Sequence, residues 1–282
     1  MMTLQEFKTK YINDLGHLYP KEECLSILQI ICEDLLHWSR TDFLIRDREK
    51  INHLEEEIIL RSLHQLLQST PVQYITGIAH FYGHTFEVNQ HTLIPRQETE
   101  ELVDLVLREI KSLSCPAMID LGTGSGCIGL SIKVERKDCA MSLLDISSEA
   151  LQVARSNASK LAAQVDFFQE DILSCKALPG SYDIIISNPP YVRELEKEEI
   201  HDNVLKYEPH SALFVDDNDA LVFYRKILKL AQSALRKDGK VFFEINQYLP
   251  EQMKQLAESL GFESKLYRDI NQNWRMIKCW KA

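Results

Sequence analysis

Up to about residue 70 the apolar positions recur at helical spacing. Leu25, Leu28, Ile31, Leu35 and Trp38 follow Pro20 at intervals of three and four, the repeat that lines one face of an α-helix. Ile51, Leu54, Ile58, Leu66 and Leu67 renew the pattern. With a first helix near residues 3–14 and loops at Gly16, Tyr19-Pro20 and 39–42, this predicts a small helical bundle. From Gln73 to Pro95 the texture changes: Gly77 and Gly83 interrupt it while Phe86 and Val88 alternate, which predicts a hairpin or irregular connector. Short β-rich runs then alternate with helical patterns. Strands are expected at 117–121, 141–145, 165–168, 182–187 and 240–245, with helices from about Cys127 and over 148–161 and 219–236, and another after Pro250. Two closing runs near 262–268 and 274–280 have no helix between them. Such alternation predicts a doubly wound, mostly parallel seven-stranded α/β sheet with an antiparallel finish. The expected organisation is a helical domain over 1–72, a connector over 73–95 and an α/β domain over 96–282.

The 282 residues are 45% hydrophobic and 26% charged, which excludes a disordered chain or a coiled-coil rod. No apolar run approaches the roughly 20 residues that span a bilayer, and the N-terminus has no signal-peptide pattern, so a cytoplasmic protein with no membrane partner is expected. Seven cysteines are scattered without a C-x-x-C pair and predict buried, reduced thiols. His80 and His84 have metal-compatible spacing but no accompanying ligand cluster, so no metal is expected. The formal net charge is -10; residues 1–75 carry 8 Lys+Arg against 12 Asp+Glu, the remainder 24 against 30. Neither part is a basic nucleic-acid module, and stable nucleic-acid binding is not expected.

Asp120-Leu-Gly-Thr-Gly-Ser-Gly126 follows a buried strand and opens a helix, so flexible backbone meets a ligand at the C-terminal edge of the sheet. Gly122, Thr123, Gly124, Ser125 and Gly126 are the candidate contacts. Gly124-Ser-Gly-Cys-Ile-Gly129 also satisfies the dinucleotide pattern G-x-G-x-x-G, which keeps a nicotinamide cofactor in view. A carboxylate at Asp120 would repel a pyrophosphate and suits a cation; S-adenosylmethionine carries a sulfonium and an ammonium. Asp145, ending the next strand, can accept from ribose hydroxyls, as in nucleoside sites generally. Asp171 can accept from an adenine amino group while Ile146 and Ile172 cover the ring; a turn cap is the structural alternative for Asp171.

Ser187-Asn-Pro-Pro-Tyr191 ends the fourth strand of the sheet on the same edge. Asn188 and Pro189 each precede a proline and are pushed toward extended backbone, which turns a side-chain oxygen and a carbonyl outward. Two acceptors suit an NH2 group, and Tyr191 offers a flat face to a planar conjugated amine. Asn188, Pro189, Pro190 and Tyr191 are therefore the candidate catalytic residues for methyl transfer to such a nitrogen, with positioning as the main device.

In these segments the chain resembles the release factor glutamine methyltransferases, within the class I, Rossmann-like S-adenosylmethionine-dependent methyltransferases. The resemblance covers nearly the whole chain and rests on Pro71-Val-Gln-Tyr-Ile-Thr-Gly77, Leu93-Ile-Pro-Arg-Gln-Glu-Thr-Glu100, the glycine loop, Asn188-Pro-Pro-Tyr191 and Tyr207-Glu-Pro209. It implies methylation of the glutamine side-chain amide in the Gly-Gly-Gln motif of peptide chain release factors. It also implies cofactor contacts from Gly122 to Gly126, at Asp145, at the Asp171-Ile172 turn and at Asn188, and a helical N-terminal domain that helps hold the release factor. Asn-Pro-Pro-Tyr alone also fits amino-group methyltransferases of adenine or guanine in DNA or RNA, the alternative reading. The chain departs from the family pattern at Asn246, where a glycine is usual and a left-handed turn is expected; at Ile172, where an aromatic is frequent; and at Ala220. Thr99 or Gln97 is expected to start a helix, Arg96 to meet a carboxylate or carbonyl of a ligand, and Tyr207-Glu-Pro209 to buttress the Asn-Pro-Pro-Tyr loop.

Overall fold

Thr3, Ser39 and Asn52 each close a capping box. The side-chain oxygen accepts the backbone N–H three residues on, and the carboxylate of Glu6, Asp42 or Glu55 reaches back to the cap, satisfying donors that a helix start leaves open. These boxes begin α1 (Leu4–Leu15), α3 (Arg40–Ile45) and α4 (His53–Leu67); α2 (Lys21–Leu36) and α5 (Val72–Thr76) follow Pro20 and Pro71. In the computed structural model, which describes residues 1–281, Leu4, Phe7, Tyr11 and Leu15 form the buried stripe of α1 and join Leu28, Ile31, Ile59, Leu63 and Leu66 in one core. Tyr11 is buried because its hydroxyl donates to the carbonyl of Ile59 at 2.8 Å. This first compact unit comprises Met1–Ile78 and, from far along the chain, His201–Tyr207; Lys206 Nζ and the Tyr207 hydroxyl both donate to the carbonyl of Gln68.

The second unit, Ala79–Ile200 with Glu208–Ala282, carries the sheet. Strands β1 (Ile78–Phe81) and β2 (His84–Glu87) pair across a turn at Tyr82 and Gly83. Then follow α6 (Gln97–Glu109), β3 (Ala117–Leu121), α7 (Cys127–Glu135), β4 (Ala140–Asp145), α8 (Ser148–Lys160), β5 (Asp166–Gln169) and β6 (Tyr182–Ser187). A two-residue β7 (Val192–Arg193) pairs with β8 (Phe214–Val215), and between them lies α9 (Asp202–Tyr207). The chain closes with α10 (Val222–Ala234), β9 (Leu235–Glu244), α11 (Pro250–Ser259), β10 (Phe262–Arg268) and β11 (Trp274–Lys281). The seven-stranded sheet has the order β10-β11-β9-β6-β3-β4-β5. Neighbours from β9 to β5 are parallel, and β11 runs antiparallel to both β9 and β10. The expected start of the fifth strand of this sheet at 240 moves to Leu235 because the register shifts between Tyr182 and Ile184, pairing them with Leu235 and Lys240.

Strand alternation divides the buried side chains between two layers. Ile119, Leu121, Ile185, Val241 and Phe243 pack with residues of α10 and α11. Met118, Ile184, Ile186 and Phe242 pack with α6 and α7. The same period of two puts Asp120 and Glu244, at or near the C-terminal ends of β3 and β9, on the α6–α7 side. Both carboxylates are buried, 0% and 2% exposed, so both need partners from that layer.

Candidate functional site

A cavity of about 470 Å³ opens where β3, β4, β5 and β6 end. Its walls are the segments after those strands, 122–125, 145–147, 170–173 and 188–190, together with residues 90–93, Pro95 and Arg96. Each strand's last residue is held by the ladder, so the next few residues converge at this edge.

Gly122, Gly124 and Gly126 have φ of 73°, 56° and 83°, a region that side-chain-bearing residues rarely occupy. A Cβ on Gly122 or Gly124 would meet nothing within 4 Å, whereas one on Gly126 would lie 2.8 Å from Leu130 Cδ1. Gly122, Thr123, Gly124 and Ser125 accordingly wall the cavity, and Gly126 does not; it turns the chain into α7. Gly129 has a third role: a Cβ there would lie 2.3 Å from Leu143, so its absence lets α7 pack closely on the sheet.

Asp120 does not reach the cavity wall as a cation contact. Its Oδ2 accepts from Thr123 Oγ1 at 2.6 Å and from the Gly129 N–H at 3.1 Å, while buried Oδ1 has no hydrogen-bond partner. Burial pushes its carboxyl up to about 6, because an apolar surround penalises the charged form. Asp120 therefore pins the glycine loop from below.

Asp145 lines the cavity and is tied in place by the N–H groups of Gly124 (2.8 Å) and Ser147 (3.0 Å), one on each carboxylate oxygen. Burial raises its pKa and these bonds oppose the rise. A carboxylate has about four lone-pair directions, so Asp145 can still accept hydroxyls. Asp171 is both a wall residue and a turn cap, its Oδ1 accepting from the Leu173 N–H at 2.9 Å. Ile172 touches the cavity but is only 7% exposed and belongs to the core. The aliphatic surface presented here comes from Ile146, 60% exposed, and Leu173, 40% exposed. Leu173 was not anticipated, although a large apolar side chain beside a turn at a strand end is a signal for it.

Asn188, Pro189 and Pro190 wall the cavity opposite this end, and Tyr191 does not. The Tyr191 hydroxyl donates to Glu244 Oε1 at 2.9 Å, and Glu244 Oε2 accepts from Thr99 Oγ1 at 2.7 Å. Thr99 Oγ1 in turn faces the amide nitrogen of Asn188 at 3.5 Å. Burial raises the pKa of Glu244, opposed by the two hydroxyl donors and by Arg275. Burial likewise pushes the Tyr191 phenol up. Sequence reasoning gave no role to Glu244, which sits 145 residues from Thr99.

Arg96 begins α6 and walls the cavity, and its guanidinium pairs with Glu208 at 2.6 Å. Three other expectations are corrected. Glu208 thereby braces the segment 94–96 rather than the Asn-Pro-Pro-Tyr loop. That loop is braced by Asn246, whose Nδ2 donates to the Tyr191 carbonyl at 3.0 Å and to both oxygens of Glu196; Asn246 has no positive φ. Of the cysteines, Cys115 is exposed and the other six are buried.

The family model described as "PrmC N-terminal domain" matches residues 14–77, and "Methyltransferase small domain" matches 96–211. The release factor glutamine methyltransferase of Flavobacterium psychrophilum is 41% identical, covering 98% of this chain and 99% of that one. Its counterpart in Bacteroides thetaiotaomicron is 41% identical over 96% and 94%. Among solved structures, the hMettl16 catalytic domain in complex with MAT2A 3′UTR hairpin 6 has a TM-score of 0.56 at 14% identity, over 71% of this chain and 76% of that one. A methyltransferase from Pyrococcus furiosus has a TM-score of 0.51 at 18% identity, over 69% and 86%. At such identities these structures show the fold alone.

Proposed function

We infer that this chain, which belongs to the release factor glutamine methyltransferase family, transfers a methyl group from S-adenosylmethionine to the side-chain amide nitrogen of the glutamine in the Gly-Gly-Gln motif of peptide chain release factors. The observation that carries the reading is that the glycine loop, Asp145 and Asn188 wall one cavity. The cavity fits the cofactor. Asp145 can accept both ribose hydroxyls, Ile146 and Leu173 offer apolar surface to a base, and open space lies beyond Gly122 and Gly124.

Bound S-adenosylmethionine supplies an electrophilic methyl on sulfonium. The protein's task is then to present a poor nucleophile correctly, because an amide lone pair is delocalised into its carbonyl. Asn188 Oδ1 and the Pro189 carbonyl hold the two amide hydrogens, leaving the nitrogen lone pair aimed along the remaining direction. No strong base is needed before attack, since the proton becomes acidic only as nitrogen gains its fourth bond. We assign the helical N-terminal unit to docking of the release factor, and translation termination puts the reaction in the cytoplasm.

Incubation with labelled cofactor, a release factor and total RNA tests the reading. Mass spectrometry is expected to find one added methyl on the glutamine. Gly-Gly-Asn and Gly-Gly-Glu variants should not accept it: one side chain is a methylene short, and the other lacks two donors. Methyl on RNA or DNA with none on release factor would overturn the substrate and favour the amino-base alternative.

A further inference from the structure

We propose that Glu244, acting through Thr99, sets which end of the Asn188 side-chain amide faces the cavity, and so decides that the site takes a donor such as NH2 rather than an acceptor such as a carboxylate. This rests on the reading of Asn188 as the group that holds the substrate amide. An amide can turn end over end at almost no steric cost, so polarity must come from its partners. Glu244 as a carboxylate only accepts. It takes the Thr99 hydroxyl proton at 2.7 Å, so Thr99 Oγ1 has only a lone pair left for Asn188, and the end that meets it at 3.5 Å is the NH2. The distance is long for a hydrogen bond, as expected where a site tightens on its substrate. Asn188 Oδ1 is thereby left for the ligand.

The far end of the chain is held in the same sense. Glu244 Oε1 accepts from the Tyr191 hydroxyl at 2.9 Å, so that hydroxyl too spends its proton on residue 244. In E244Q the Tyr191 proton would keep the new carboxamide oxygen, turning its NH2 toward Thr99. The Thr99 hydroxyl would then donate to Asn188 and draw the Asn188 oxygen away from the cavity. The substitution conserves shape and reverses the direction of every bond between residue 244 and Asn188. Glu244 and Thr99 are thus positioning residues.

The test compares full-length wild type with E244Q, T99V and T99S. Cofactor affinity is measured by calorimetry, single-turnover methylation with intact release factor, and the dissociation constants of Gly-Gly-Gln and Gly-Gly-Glu peptides with the cofactor product present. Wild type should prefer the glutamine peptide. E244Q should keep its cofactor affinity within about twofold, lose roughly 10–100-fold in single-turnover rate and shift the Gln/Glu peptide preference by about tenfold or more toward Glu, the scale of a hydrogen bond or two. T99V should lose rate and narrow the preference, and T99S should retain both. An unchanged peptide preference in E244Q and T99V overturns the proposal even if rates fall. So does a T99S variant as impaired as T99V, which would mark a packing role. The proposed function fails separately, on the wild-type result: no methyl on release factor.

Discussion

Arg96 and Glu208 are 112 residues apart in the chain and meet at 2.6 Å, with the second Glu208 oxygen taking the N–H of Ile94 at 3.1 Å. One buried carboxylate, its side chain 1% exposed, therefore fixes both the backbone and the side chain of a segment that walls the cavity. Glu208→Ala should lower unfolding stability by about 1.5–3 kcal/mol, the scale of losing charge-assisted hydrogen bonds, and weaken cofactor binding as the segment loosens. Denaturant unfolding and calorimetric titration measure the two effects; unchanged values of both would show that the brace does nothing.

Asn188→Ala should reduce single-turnover methylation by about 10²–10³-fold, the loss typical of one preorganised contact. Cofactor affinity should fall only modestly, because Asp145 and the glycine loop remain. A near-wild-type rate would remove Asn188 from the catalytic group.

Asp145 accepts backbone N–H groups on both oxygens, so its carboxylate is already aimed. Asp145→Ala should weaken S-adenosylmethionine binding by roughly 1.5–3 kcal/mol, about 10–100-fold in dissociation constant. Calorimetry decides it, and tighter binding of NAD than of S-adenosylmethionine in the wild type would return the nicotinamide reading.

Asp120 makes stability depend on pH. Its folded carboxyl holds a proton up to about 6 against 3.8 for an ordinary aspartate, so between those values the folded state binds more protons than the unfolded one. The contribution is fully present below 3.8 and is lost as pH rises through 6, about 3 kcal/mol in all. The groups acting on it are Thr123 and Gly129, which lower the value, and Asp145, which raises it. In Asp120→Asn this part of the pH dependence should vanish. Urea unfolding of both proteins from pH 4 to 7 would show it as a gap that opens as pH rises, the wild type losing stability that Asp120→Asn keeps, and parallel curves would contradict it.

Leu44 and Ile45, at the end of α3, are 65% and 70% exposed, apolar surface of the kind a docking unit uses. Replacing both with serine should raise KM for intact release factor several-fold and leave KM for a short Gly-Gly-Gln peptide unchanged. Equal effects on both substrates would count against docking through these side chains.

Much of this was legible in one dimension. The elements of the sheet follow from local periodicity, and an antiparallel finish follows from two strands with no helix between them. The glycine loop and the Asn-Pro-Pro-Tyr segment are contiguous because turn geometry and proline act on neighbours; a contiguous motif can be read without knowing the fold. Asp145 was readable as the last residue of a strand.

Partners distant in sequence were not readable. Asp120 looked like a ligand contact in the linear motif, yet strand alternation turned it into the α6–α7 layer, where Thr123 and Gly129 claim it. Tyr191 looked like part of a binding face, and only the approach of β9 revealed Glu244 as its hydroxyl's acceptor. Residues 201–207 carry no mark that assigns them to the first unit. Local conformation, the edge of the sheet where the site residues gather and the residue types available there follow from the order of residues. The tertiary structure alone decided which buried carboxylate answers which donor, because a hydrogen bond depends on atoms within about 3 Å and chain separation does not report that distance.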